Sequence, residues 1–180
     1  LDDQRFDLRE RAKARDQKWI RSLVSPVERA ERYAQKPALI LITGSAATPR
    51  RELGKALEAQ LFREGRSVYF LGIGNILHGL DIDIEGQTDI GQEHIRRVAE
   101  LGNIMLDAGL LMIVSAAELT NEDIGLVQEL VGADRVKVVH YGSELDLQGD
   151  VLLAPEEPLP DAVSKIKTAL SDDQIIFRPW

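Results

Sequence analysis

A chain of 180 residues, 44% hydrophobic and 29% charged, has the balance of one globular domain, or of one domain with an appended arm. That composition excludes collagen, mucin stalks and wholly disordered polymers, and no apolar run reaches the ~18 residues of a membrane span. With no cysteine the chain has no disulfide, thiolate metal site or Cys nucleophile, and a net charge of −8 argues against a protein that coats nucleic acid.

The charge is unevenly spread. Residues 1–36 hold ten Lys/Arg against seven acids, whereas the remaining chain holds 12 against 23. This predicts a charged helical arm or linker over 1–36 and a domain over 37–180. The arm reads as one helix to about Ser22, a break at Ser25-Pro26 and a short helix to about Tyr33. It is expected to be a solvated helix, packed on the domain or linking it to an upstream neighbour. Leu1 in place of Met, with no apolar leader after it, suggests a fragment or processed piece, expected in a reducing cytoplasm.

From Pro37 strands and helices alternate. Ala38–Thr43 is a continuous apolar run, the mark of a strand buried on both faces. Arg50–Glu64 reads as a helix with Leu53, Ala56, Leu57 and Leu61 on one stripe, stopped by Gly65. Ser67–Leu71 is the second strand. Thr88–Asp107 is a long helix facing Ile95, Val98, Leu101, Met105 and Leu106 inward, and Leu110–Ser115 the third strand. Asn121–Val131 is a helix with an Asn-x-x-Ile start, followed by strands at Arg135–His140 and Val151–Leu153 and a last helix over Pro160–Leu170. Such alternation means βαβ units and an α/β fold of three αβα layers around a mostly parallel five-stranded sheet, of the P-loop NTPase type. The tail Ile175–Trp180 is too apolar to stay in water, so it is expected to dock on this domain, a second copy or an upstream domain.

In this fold ligands sit at the carboxyl ends of the strands, which directs attention to the first strand-to-helix turn. A phosphate loop of the form G-x-x-x-x-G-K-[ST] uses its second Gly for close backbone approach, its Lys for the terminal phosphates and its hydroxyl for Mg²⁺. Here Gly44 holds the first position, but Pro49, Arg50 and Arg51 stand where Gly, Lys and Ser/Thr belong. Proline offers no N–H, and Arg51 cannot ligate a cation. Thr48-Pro49 reads instead as a helix N-cap followed by Pro at the first helical position.

At this point the chain resembles the adenosine 5′-phosphosulfate (APS) kinases, also called adenylylsulfate kinases. The resemblance runs from about Ser25 to Leu170. It rests on Ala38–Gly44, Ala56-Leu57-Glu58 with Leu61-Phe62, and Val68–Leu71. Its most specific stretches are Asn75–Leu80, Ile95–Val98, Asp107–Leu110 and Val114-Ser115. It implies P-loop enzymes that phosphorylate the APS 3′-hydroxyl with ATP to give PAPS, and that are often fused to ATP sulfurylase or its GTPase subunit.

Against that pattern the departures fall on the chemistry. The family's acidic DGD segment is Gly72-Ile73-Gly74 here, its next Arg is Leu77, its second substrate Arg aligns with Gly91, and its Asn with His94. The loop after the third strand reads Ala116–Leu119, and only Tyr141–Asp150 remain of the lid. Since Leu or Gly cannot supply a guanidinium fork, APS kinase turnover is not expected. The expected role is a non-catalytic, regulatory, sulfonucleotide-sensing or scaffold/dimerisation module in a sulfate-activation protein. Its expected neighbours are an upstream sulfurylase or GTPase domain, or a second copy of itself. An active kinase with a rewired loop, and a ligand-free interaction domain, are the alternatives.

The candidate nucleotide or anion site is Gly44, Ser45, Thr48, Arg50, Arg51 and Asn75, taking an adenine nucleotide, APS or PAPS without Mg²⁺. No catalytic or metal residue is assigned. His78, His94 and His140 form no triad or zinc set, Asp81, Asp83 and Glu85 read as a solvent-facing loop, and Arg96 and Arg97 as structural charges.

Overall fold

The computed structural model describes residues 2–73, 90–142 and 149–178, without the side chains of residues 2–5 and 90. The apolar run becomes strand β1 (Ala38–Gly44), buried along its whole length. A strand with no polar face can be satisfied only in the middle of a sheet covered on both sides. Around it lie β2 (Val68–Leu71), β3 (Leu111–Ala117), β4 (Val136–Tyr141) and β5 (Val151–Leu153), in the order β2-β3-β1-β4-β5. All pair in parallel, and Leu41 of β1 stands level with Val114 of β3 and Val138 of β4.

Among the described residues the α-helices are α1 (Asp2–Lys18), α2 (Pro26–Tyr33), α3 (Arg50–Arg63), α4 (Ile90–Asp107), α5 (Asn121–Val131) and α6 (Leu159–Asp172). Ile40 and Ile42 face Leu53, Leu57 and Leu61 of α3 and Ala162, Ile166 and Leu170 of α6. On the opposite face Leu39 and Leu41 meet Val98, Ala99 and Leu106 of α4 and Ile124, Val127 and Leu130 of α5. Each large side chain buried in these layers stabilises the fold by about 1.5–3 kcal/mol. The expected inward stripe of α4 is present, with Val98 and Leu106 buried and Ile95, Leu101 and Met105 packed at its margin.

One local expectation is corrected. The first helix ends at Lys18, short of Ser22, where local side-chain bonds such as Val24 N–H to Ser22 Oγ (3.1 Å) compete with helical ones. Helix α5 begins at Asn121 as expected, and Thr120 is its N-cap. The Thr120 hydroxyl accepts from the Asp123 N–H, and the Asp123 carboxylate accepts from the Thr120 N–H. Ser25 and Glu28 make the same reciprocal box at α2.

The pole where the strands begin is held by Gln35, which is fully buried. Its amide donates to the carbonyls of Ser67 (2.8 Å) and Gly109 (2.9 Å), while its oxygen accepts from the Ser67 N–H (3.0 Å). The expected tail docking occurs on this same domain. Gln35 and Ile176 form an antiparallel bridge, Lys36 N–H donates to the Ile175 carbonyl (2.7 Å), and Ile175 and Ile176 are buried. Arg66 closes the latch with bonds to the carbonyls of Ala34 and Phe177.

Candidate functional site

The turn after β1 is held tight against its neighbours. The Gly44 carbonyl accepts from the Glu118 N–H (2.8 Å), and the buried Thr43 hydroxyl accepts from the Leu119 N–H (3.1 Å). An added Cβ at Gly44 would lie 2.1 Å from the Tyr141 carbonyl oxygen of β4. The loop therefore leaves the sheet at a point only glycine can occupy.

In a phosphate cradle backbone N–H groups converge on an anion, and in this loop two such groups are turned to internal bonds. Thr48 N–H is spent on the Ser45 carbonyl (3.1 Å) and Arg50 N–H on the Thr48 carbonyl (2.9 Å). The Arg50 guanidinium folds back over the loop. It bonds the Ser45 carbonyl, the Thr48 carbonyl (3.2 Å) and the Thr48 hydroxyl oxygen (3.0 Å). Carbonyl oxygens thus converge on a cation that the chain itself provides. This corrects the expected cap: Pro49 is the α3 N-cap and makes no side-chain cap bond, while the Thr48 hydroxyl donates to the Ser45 carbonyl at 2.7 Å.

Arg50 is not fully satisfied. Its Nε is buried without a hydrogen-bond partner. Burial lowers its pKa from the ordinary arginine value; Glu118 and Glu52 oppose that shift and Arg51 adds to it. Arg51 itself is exposed at the start of α3. Gly44, Ser45, Thr48 and Arg50 are therefore brought together and Arg51 lies beside them, whereas Asn75 falls outside the described residues. So do Gly74, Leu77, His78, Asp81, Asp83 and Glu85, and most of the shortened lid.

Two further groups stand at the strand ends. Glu118 takes a left-handed backbone (φ 54°) immediately after β3, unusual for a glutamate. No residue-type signal marked it; only the close seating of β3 on Gly44 does. His140 of β4 is 2% exposed, with Nδ1 unpartnered. Since a buried unsatisfied nitrogen costs roughly 1–3 kcal/mol, His140→Leu is expected to match or exceed wild-type stability in urea unfolding, and a clear loss would show that the imidazole is needed. Among the described residues no three His, Asp or Glu side chains converge as a metal site, and none of the helices is long and apolar enough to cross a membrane.

At the start of α4 the Glu93 carboxylate bonds both Arg96 and Arg97. The distances are 2.7 and 2.8 Å to Arg96 and 2.9 Å to Arg97. These bonds, Arg96 first, lower the Glu93 pKa from 4.5 to about 2. A lowered carboxyl pKa stabilises the fold above its ordinary value, and that contribution fades as pH falls toward the folded value. Glu93→Gln is therefore expected to melt below wild type at pH 7 and to converge with it as pH approaches about 2. A pH-independent gap would rule out the titration.

Comparison with known proteins places this loop and sheet in a group. A family model described as adenylylsulphate kinase matches residues 36–149. The bifunctional enzyme CysN/CysC of Rhodopirellula baltica is 34% identical over 126 residues, 70% of this chain and 20% of that protein. The adenylyl-sulfate kinase of Shewanella amazonensis is 35% identical over 127 residues, 71% of this chain and 64% of that protein. The chain thus spans less than two thirds of either relative. Among solved structures, Mycobacterium tuberculosis APS kinase CysC in complex with AMPPNP and APS superposes with a TM-score of 0.66 at 18% identity. The match covers 76% of this chain and 99% of that one. A hexameric APS kinase from Thiobacillus denitrificans gives 0.67 at 14% identity, over 81% of this chain and 31% of that one. At such identities these two establish the fold alone.

Proposed function

Because the chain belongs to the adenylylsulphate kinase family, we propose that it is a catalytically silent member, a regulatory module that binds sulfonucleotides within a sulfate-activation protein. The carrying observation is Arg50: its guanidinium occupies the loop carbonyls where an active phosphate loop presents amides. Phosphoryl transfer is mostly positioning and charge neutralisation. Loss of one preorganised donor costs roughly 10²–10³ in rate, and here the loop lysine, the metal-holding hydroxyl and the acidic DGD segment are all replaced.

Binding has its own support. Arg50 and the exposed Arg51 beside it put two positive charges at the start of α3, which attract an anionic group of APS, PAPS or an adenine nucleotide without Mg²⁺. In this reading residues 1–36 are the arm and 37–180 the module. Its neighbour is a sulfurylase or GTPase domain, as the CysN/CysC relative favours, or a second copy. The setting is the cytoplasm.

A coupled assay with ATP, Mg²⁺ and APS is expected to give no ADP above the blank, and APS-dependent ADP release overturns the proposal. In parallel, PAPS or APS at about a hundred times its Kd should add roughly 2.7 kcal/mol and raise Tm by several degrees. That shift should vanish in the Arg50→Ala/Arg51→Ala double variant. Silence toward every nucleotide would leave a domain retained for its surfaces alone.

A further inference from the structure

The arm has a narrow seat on the domain. Helix α1 turns Leu8, Ala12 and Arg15 inward along one stripe, and of its described side chains only Ala12 is buried. Charge supplies the rest of the attachment. Arg9 pairs with Glu129, and Arg15 donates to both Glu100 oxygens (2.9 and 3.0 Å) and to the Leu130 carbonyl (3.1 Å). All these contacts lie on α4 and α5.

The connection onward is equally loose. Ile20 and Leu23 are 92% and 103% exposed, so no apolar anchor holds residues 20–24 before the Ser25 box begins α2. Trp19 is the exception: it lines a cavity of about 210 Å³ beneath the end of α1, with Arg15, Asn103, Asp107 and Arg135. Meanwhile α1 carries ion pairs of its own, Arg11 with Asp7 and Lys13 with Glu10, both at 2.8 Å. Those pairs support the helix whether or not it is seated.

An attachment made of partly exposed ion pairs weakens with salt, because the screening length falls from ~10 Å at 0.1 M to ~3 Å at 1 M, whereas the apolar core is indifferent to that change. We infer that α1 is a reversible strap, seated on α4 and α5 by two arginine–glutamate pairs, which leaves the domain as ionic strength rises while the sheet stays folded.

The test uses the full chain carrying Trp180→Phe, so that Trp19 is the sole tryptophan. NaCl is raised from roughly 0.1 to 1 M while emission and amide hydrogen exchange are followed. Trp19 emission is expected to move to the red and exchange over residues 2–18 to rise about tenfold, with β1 and β3 amides unchanged. Glu100→Gln should release the strap at lower salt; Glu156→Gln, on an exposed site away from the seat, should not. Constant emission and exchange up to about 1 M overturn the inference, as does opening of arm and strands together. If Glu100→Gln fails to fold, the readouts of the Trp180→Phe chain decide alone.

Discussion

Alanine in place of Gly44 should cost the domain about 3 kcal/mol or more, seen as a fall in the urea midpoint without a change in slope. The new Cβ would meet the Tyr141 carbonyl oxygen at 2.1 Å and the Thr48 hydroxyl oxygen at 3.0 Å, at a backbone φ of 155°. No side chain can swing away, since the first obstacle is backbone. Relief requires β1 to separate from β4 where Gly44 stands level with Tyr141, and Gly44 also receives the Glu118 N–H. Gly65→Ala is the matched control. Its φ of 80° is unfavourable, but nothing lies within 4 Å of an added Cβ, so about 1 kcal/mol is expected there. Equal losses at the two positions would refute the steric account.

Gln35→Ala should be comparably damaging. It strips a fully buried amide that serves the Ser67 N–H and the Ser67 and Gly109 carbonyls. The Ser67 carbonyl keeps its bond from the Leu111 N–H (2.9 Å), but the Ser67 N–H and Gly109 carbonyl lose their partner. With a penalty of roughly 1–3 kcal/mol for each orphaned group and a cavity besides, about 3 kcal/mol is a fair minimum. Gln35→Glu discriminates the hydrogen-bonding account from simple packing. A carboxylate still accepts from Ser67 but faces two carbonyl oxygens, so this variant should be less stable at pH 7 than at pH 4, where a protonated carboxyl can donate. A pH-independent loss in Gln35→Glu would return the effect to packing.

What the sequence made legible was whatever depends on periodicity. Ala38–Thr43 could only be a central strand, and the α3 stripe of Leu53, Leu57 and Leu61 could only face it. The departure of Pro49, Arg50 and Arg51 from a phosphate loop was also legible, being a matter of residue type. The direction of the Arg50 side chain was not. Whether a guanidinium reaches toward solvent or folds over its own loop depends on the carbonyls that Thr48 and Ser45 present in three dimensions. For the same reason the Thr48 hydroxyl was misread as a helix cap: it had two possible partners, and the Ser45 carbonyl took it. The tail was flagged by its apolar residues, but its seat against Gln35 lies far away in sequence. Glu118 carried no signal, because a left-handed turn at a glutamate is enforced by its neighbours and not by its type.

The bridge between Gln35 and Ile176 also matters for how such a unit can be carried in a longer polypeptide. Entrance and exit lie side by side at one pole, about 20 Å of strand away from the Gly44 turn. A host chain can therefore carry the unit as a bead on a closed loop, entering and leaving at one spot without being stretched across it. The same geometry lets the chain be reopened at an exposed turn away from the sheet. Joining the two strands of the latch and opening the exposed turn at Gly65 would rearrange the order of the segments while leaving their neighbours in place.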